Sequence, residues 1–253
     1  MTALDGKICL VTGASRGIGA AVALALAEQG ASVIVHYGQQ REAAEAVANR
    51  LPGKGHRIIG CDLRDATAAA EVIDDIQAQE GRLDVLVNNA GIYTDHPPLA
   101  TSRTDWLANW ESILTVNLLA PAMMCHAAAA LMQANGGGRI INVGSRGAFR
   151  GEPKGPAYGA SKAALHSMSQ SLAVALAPSG IRVVAVAPGF VETDMAKSLL
   201  DGEAGDAIRG QSPLNRAARP EEVADLVSYL ATTEAEFLTG GIIDLNGASY
   251  LRS

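Results

Sequence analysis

Thr12-Gly13-Ala14-Ser15-Arg16-Gly17-Ile18-Gly19 is the stretch on which the fold turns. It closes a short apolar run, Lys7–Thr12, and leads straight into Ala-rich sequence with helical spacing. Glycine takes backbone angles closed to other residues and lets a neighbouring backbone or ligand come close. A helix that starts directly after such a turn points its free N–H groups and positive dipole end into the loop. The spacing is G-x-x-x-G-x-G rather than G-x-G-x-x-G, and glycine-rich turns also serve plain strand–helix packing. At the first strand–helix turn of an alternating chain, the pattern predicts a pocket for a nucleotide diphosphate, outside the carboxyl ends of the strands.

The alternation runs the length of the chain. Strands are predicted at Lys7–Thr12, Ser32–His36, His56–Gly60, Leu83–Asn88, Arg139–Gly144, Arg182–Ala187 and Ile242–Leu245. Val85-Leu86-Val87 and Val183-Val184-Ala185-Val186 are continuous apolar runs, as a sheet buried on both faces requires. Helical patterns fall near 17–29, 41–50, 66–80, 104–134, 156–177 and 220–232. Repeated βα units imply an α/β fold: a doubly wound parallel sheet of about seven strands with helices on both faces. No linker divides the sequence, so residues 1–253 read as one domain. The segment 190–219 has weak periodicity, and a lid over the site is expected there.

Composition excludes several classes. The 253 residues are 48% hydrophobic and 18% charged, with net charge −6, so the chain is not disordered. The acidic balance argues against nucleic acid as a partner, because phosphate binding needs a basic face. The start lacks the basic and apolar regions of a signal peptide, and no run of about 18 apolar residues occurs. A cytoplasmic protein with no membrane partner is expected. Cys9, Cys61 and Cys125 are widely spaced and read as buried thiols in a reducing compartment. The five histidines form no ligand spacing, so no metal is expected.

A second constellation is Tyr158-Gly159-Ala160-Ser161-Lys162, with Ser145 just past the fifth predicted strand. Tyr and Lys four apart share one helix face. A free phenol has a pKa near 10, and an adjacent ammonium favours its ionised form. Such a tyrosine can donate a proton to a carbonyl oxygen as hydride reaches the carbon, or remove one in reverse. Y-x-x-x-K alone is weak, since surface Tyr–Lys pairs are common. Beside the glycine turn it is strong.

Together these motifs make the sequence closely similar to the short-chain dehydrogenase/reductase family, over essentially the whole chain. Asn88-Asn89-Ala90-Gly91, Asn117, Pro188-Gly189 and Thr193 also match in order and spacing. The resemblance implies a single Rossmann-type domain with Tyr158 as acid/base, Ser145 orienting the substrate oxygen, and Lys162 lowering the Tyr158 pKa while holding the nicotinamide ribose. Asn117 would hold a water linking Lys162 to solvent. The turn residues Gly13, Ser15, Arg16, Gly17, Ile18 and Gly19 would cradle the cofactor, with Tyr37 and Arg41 at the adenosine ribose. Asp62 and Leu63 would meet the adenine, and Asn89, Ala90 and Gly91 the adenosine side, the Asn-Asn-Ala-Gly stretch also steadying the sheet. Pro188, Gly189, Val191 and Thr193 would lie at the nicotinamide end. A homotetramer built through the long helices is implied too.

The end of the second strand reads Val35-His36-Tyr37-Gly38-Gln39-Gln40-Arg41, with no carboxylate until Glu42. A 2′-phosphate would meet Arg16 and Arg41 and no repelling acid, which favours NADP(H) over NAD(H). The pattern is most like the 3-oxoacyl-carrier-protein reductase branch. Yet Gln133–Gly138 and Ala177–Gly180 lack the cations that branch presents to an acidic carrier. A small-molecule ketone or alcohol is the rival substrate, with a pocket expected to be shaped by Tyr93-Thr94-Asp95-His96-Pro97-Pro98 after Gly91 and by Arg146 and Arg150 after Ser145, and an NAD(H)-linked alcohol or sugar dehydrogenase is the alternative. A non-catalytic cofactor sensor is a remote reading, since Tyr158 and Lys162 are both present. Met123, Met124 and Met132 are expected on a buried helix face, Trp106 and Trp110 in packing or an interface, and His166 in packing one turn beyond Lys162.

Overall fold

The computed structural model describes residues 2–194, 196, 200–202 and 205–252. Seven strands form one parallel sheet: β1 Ile8–Val11, β2 Ser32–Tyr37, β3 Arg57–Gly60, β4 Val85–Asn88, β5 Gly138–Val143, β6 Ile181–Pro188 and β7 Ile242–Leu245. Their order is β3-β2-β1-β4-β5-β6-β7, every neighbouring pair parallel. The order reverses between β1 and β4. At that switch point the connections leave in opposite directions and open a crevice at the strand ends. The glycine turn and Asn88-Asn89-Ala90-Gly91 both emerge there.

Alternate residues of each strand serve opposite faces. Cys9, Val11, Val33, Val35, Val85 and Val87 pack with α1 (Gly17–Glu28), α2 (Arg41–Ala48) and a later helix, Pro220–Leu230. Leu10, Ile34, Leu86, Ile140 and Val183 pack with α3 (Ala66–Glu80), α5 (Ala120–Ala134) and α7 (Pro156–Leu176). Both faces are covered, so the central strands carry continuous apolar runs such as Val85-Leu86-Val87 and Val183–Val186. The helix α4 (Arg103–Leu114) precedes α5, α6 is the short Gly147–Arg150, α8 is Gly205–Arg209, and α9 is the Pro220–Leu230 helix.

The long helix expected over 104–134 is interrupted. Thr115–Leu119 forms one π-helical turn between α4 and α5, with Ala120 N–H donating to Thr115 O. Pro121 has no N–H to bond the Asn117 carbonyl, which removes one α-helical link at that point. The whole stretch Arg103–Ala134 has mean hydropathy 1.6 and is long enough to cross a bilayer. Its apolar side is instead core: Met124, Cys125, Ala128, Leu131 and Met132 are buried against α3 and the sheet. Met123 departs from expectation at 36% exposure, being one helical step off that face. In the segment 190–219, residues 195, 197–199, 203 and 204 lie outside the described set, and with them part of the expected lid.

Candidate active site

The glycines of the first turn are used in two ways. Gly13 (φ +62°) and Gly17 (φ +55°) hold left-handed backbone, where a side chain would be strained. A Cβ on Gly13 would stand 3.0 Å from Ala90 Cα, and one on Gly17 3.2 Å from Thr193 Cγ2. Gly19 has ordinary angles, but a Cβ there would sit 2.6 Å from Asn89 Nδ2 and 2.9 Å from Ala14 Cα, so it is glycine for close packing. The turn is thereby pressed between the Asn89–Gly91 stretch and Thr193. Arg16, at the start of α1, makes no side-chain cap, and the first turn of α1 holds no acid. By contrast α3 is capped by Asp65 and α4 by Ser102. Uncapped N–H groups, a cradle shaped by missing Cβ atoms and an exposed cation suit a dinucleotide diphosphate.

The remaining predicted cofactor contacts surround this turn. Asn89 Nδ2 donates to Thr12 O (2.9 Å) and Gly13 O (3.3 Å), while Thr12 Oγ1 accepts from the Asn89 and Ala90 N–H groups. The Asn89 side chain is therefore spent on holding the turn. The Tyr37 ring lies against Gly60, where a Cβ would be 2.8 Å away. Arg41 pairs with Glu45 at 2.8 Å in full solvent. Asp62 accepts from Arg64 N and Nε, and the Leu63 side chain is buried in the core. Ile18 packs partly into the core, and Ser15 stands between Gly13 and the start of α1. Gly189 backs onto Asn246, and Val191 bridges to Ala218, fixing the Pro188–Thr193 strip over the strand ends.

The catalytic candidates converge from β5, α6 and α7. Tyr158 stands in the first turns of α7, and burial pushes its phenol above the ordinary value. A hydrogen bond with Ser145 pulls the other way, and the nearby Glu152 carboxylate adds to the rise. Lys162 is not among the causes of that shift in the cofactor-free structure. Its Nζ donates to Val143 O at 2.9 Å and stands 5.8 Å from the Tyr158 ring centre. Lys162 is only 4% exposed, and burial drives its pKa down to about 8. Without a counterion beside it, the cost of burying the charge dominates. Ser145 Oγ accepts the Gly147 N–H at 3.0 Å, which sets the hydroxyl at the head of α6. The Asn117 side chain is fully engaged: Oδ1 accepts from Ile92 N (2.8 Å), and Nδ2 donates to Ile92 O (3.0 Å) and Ser161 Oγ (3.2 Å). It clips the loop after β4 to the catalytic helix.

Three supports act through contacts that spacing does not show: His36, and Tyr93 and His96 from the loop expected to shape the substrate pocket. His36 Nδ1 accepts the Gly13 N–H at 3.1 Å, and its Nε2 faces Cys61 O at 3.1 Å. Tyr93 packs edge-on against Tyr158, ring centres 5.3 Å apart, in space that exists because residue 155 is glycine. His96 Nε2 accepts the Ala157 N–H at 3.1 Å while Nδ1 faces Thr94 O at 2.8 Å, so His96 caps α7 just before Tyr158. The distance of 61 positions from His96 to Ala157 was not a local signal.

These features agree with what the chain is similar to. A family model described as enoyl-(acyl carrier protein) reductase matches residues 13–247. The chain is 38% identical over 243 residues to cis-4-hydroxycyclohexanecarboxylate dehydrogenase of Sinomonas cyclohexanicum, covering 95% of both. It is 37% identical over 247 residues to the 3-oxoacyl-[acyl-carrier-protein] reductase FabG of Escherichia coli, covering 98% of both. A short chain dehydrogenase from Burkholderia cenocepacia solved in complex with NADP superposes with TM-score 0.87 at 36% identity, covering 98% of this chain and 99% of that one. With the parallel sheet, the glycine turn at its switch point and Tyr158 and Lys162 on one helix face, the chain belongs to the short-chain dehydrogenase/reductase family, oxidoreductases that act on CH–OH groups with NAD or NADP.

Proposed function

We propose that the chain reduces a compact ketone, or oxidises the matching secondary alcohol, with NADP(H) as the preferred cofactor. The observation that carries this reading is the meeting of Ser145, Tyr158 and Lys162 at the carboxyl ends of β5 and α7's first turns, beside a bare helix N-terminus. When bound, the nicotinamide supplies or takes the hydride. Ser145 then holds the substrate oxygen, and the Tyr158 hydroxyl gives it a proton as charge develops there. Lys162 lies deep enough to hold the nicotinamide ribose. With the cofactor in place, its ammonium on the same helix face as Tyr158 would ease ionisation of the phenol.

Two features favour NADP(H). Arg16 is exposed at the turn with no partner among the described residues, and Arg41 is held by Glu45, with Tyr37 beside it, in a solvent-exposed arrangement that a 2′-phosphate can displace. A compact substrate fits the Tyr93 ring that walls one side of Tyr158 and the half-buried Glu152 carboxylate near it, which has no ion pair within 4 Å among the described residues. A 3-oxoacyl thioester is the second reading, supported by the likeness to the Escherichia coli reductase. Assembly as a homotetramer accords with Leu107, Leu119 and Met123, which are 58%, 49% and 36% exposed along α4 and α5. The unpaired cysteines suit a reducing cytoplasm.

The test is NADPH and NADH oxidation by purified protein with acetoacetyl-coenzyme A and a panel of cyclic and short-chain ketones. We expect NADPH-linked turnover that Tyr158→Phe lowers by at least 10³-fold while cofactor still binds. Faster turnover with NADH overturns the cofactor assignment. A Tyr158→Phe enzyme at wild-type rate overturns the acid/base role.

A further inference from the structure

Arg146 follows Ser145, yet its side chain turns away from Tyr158. The residue is only 4% exposed. Its guanidinium lies 5.0 Å from the centre of the Phe190 ring, and its backbone N–H donates to Pro188 O at 2.9 Å. Nη2 donates to Gln211 Oε1 at 2.5 Å, and Arg150 Nη1 donates to the same oxygen at 2.7 Å. Two cations thus share one neutral amide oxygen. The Glu152 carboxylate acts on both arginines from beyond ion-pair distance, and among the described residues Arg146 Nε and Nη1 have no hydrogen-bond partner. A buried cation ordinarily has a counterion, because desolvation is costly without one.

Arg146 also lines a cavity of about 570 Å³, in the range of small-molecule sites. Phe190, Ile208, Leu214, Leu245 and Leu251 give it an apolar wall. The acids on its rim are already taken, Glu222 by Arg216 and Asp244 by Arg252, each at 2.7 Å. On the same wall, the buried Ser249 hydroxyl has no hydrogen-bond partner among the described residues. Ser145, Tyr158 and Lys162 are not among the lining residues.

We propose that this cavity is a second binding site, for a small organic carboxylate whose oxygens take the free edge of Arg146 and whose hydrocarbon body lies on the apolar wall. Guanidinium and carboxylate match as planar, two-point partners. The apolar lining selects a carboxylate with a ring or short chain over a bare inorganic anion. Because Arg146 adjoins Ser145 and grips Pro188, an occupant steadies both edges of the reaction centre.

Thermal melts of the cofactor-free protein with benzoate test the proposal, with benzamide and inorganic phosphate as controls. At ten times Kd, benzoate is expected to raise Tm by about 3–6 °C, while benzamide and phosphate give no matching shift. Arg146→Met removes the response. Gln211→Glu places an internal carboxylate between the two arginines, so it raises the starting Tm and also removes the response. Tyr158→Phe keeps it, which separates this site from the reaction centre. No shift with benzoate, an equal shift with benzamide or phosphate, a response intact in Gln211→Glu, or one lost in Tyr158→Phe overturns the proposal. Should Arg146→Met not fold, Gln211→Glu carries the test.

Discussion

His36 stands beneath the glycine turn and takes the Gly13 N–H on Nδ1 at 3.1 Å, while Nε2 donates to Cys61 O at 3.1 Å. One neutral imidazole thus ties β1, β2 and the segment after β3 together at the point where a diphosphate would lie. Replacing His36 by Leu leaves the Gly13 N–H without its acceptor, a loss of about 1–3 kcal/mol. We expect a lower urea midpoint and weaker NADPH binding by fluorescence titration, with the same maximum rate at saturating cofactor. Unchanged affinity would remove His36 from the cofactor cradle.

The same residue makes stability fall in mild acid. Burial drives His36 from 6.5 down to about 4, and His166 likewise to about 4. His166 is 2% exposed, stacks on Phe149, and neither ring nitrogen has a hydrogen-bond partner among the described residues. Between pH 6.5 and 4 the unfolded chain binds protons that the folded chain refuses, so stability rises with pH there and is lost as pH falls. Each histidine contributes on the order of 3 kcal/mol to that loss. Denaturation curves at pH 7, 6, 5 and 4.5 should show it, and His166→Phe should flatten the slope by about half. A His166→Phe protein with the wild-type slope would contradict the assignment.

The backbone layout was legible because β-branched runs and glycine positions are local signals. Each strand was found to within a residue or two, as were the ends of α1 and α7. The π-turn was not, since it arises from Pro121 acting four residues back on Asn117 within one periodic apolar pattern. Ser145, Tyr158 and Lys162 could be found by spacing. The contacts of His36, Tyr93 and His96 could not, for their partners Gly13, Tyr158 and Ala157 lie 23, 65 and 61 positions away along the chain. The electrostatics were harder still. Four residues of helix predict that Lys162 and Tyr158 interact, but not that the lysine is turned onto Val143 O and that burial is the main cause of the shift at both.

That burial makes Lys162 costly to the fold. Its pKa is lowered from 10.5 to about 8 by desolvation alone. Above pH 8 the folded chain sheds this proton while the unfolded chain keeps its own, so stability rises with pH up to about 10.5, by on the order of 3 kcal/mol. Lys162→Met keeps the stem and deletes the charge. We expect it to melt higher than wild type at pH 7, to lose the rise between pH 8 and 10, and to be inactive. A variant that melts lower would show that the Val143 hydrogen bond outweighs the desolvation.

Gly155 and Tyr93 form the last testable pair. A Cβ at residue 155 would lie 2.5 Å from Tyr93 Cε2 and 3.0 Å from Cζ, and φ there is −140°, which any residue adopts. Gly155→Ala therefore strains no backbone and acts by pushing the Tyr93 ring off Tyr158. Overpacking of this kind costs about 1–3 kcal/mol, divided between stability and the shape of the cleft. We expect Gly155→Ala to raise KM more than it lowers kcat, because Ser145 and Tyr158 keep their own supports. Tyr93→Ala opens the same wall, so it should raise KM for compact ketones while admitting bulkier ones. In the double variant the added methyl meets no ring, and its effect should be smaller than the sum of the two single changes by about 0.5–3 kcal/mol. Strict additivity in KM and in the urea midpoint would mean that the two residues act on the site independently and that Tyr93 is not held by the room glycine leaves.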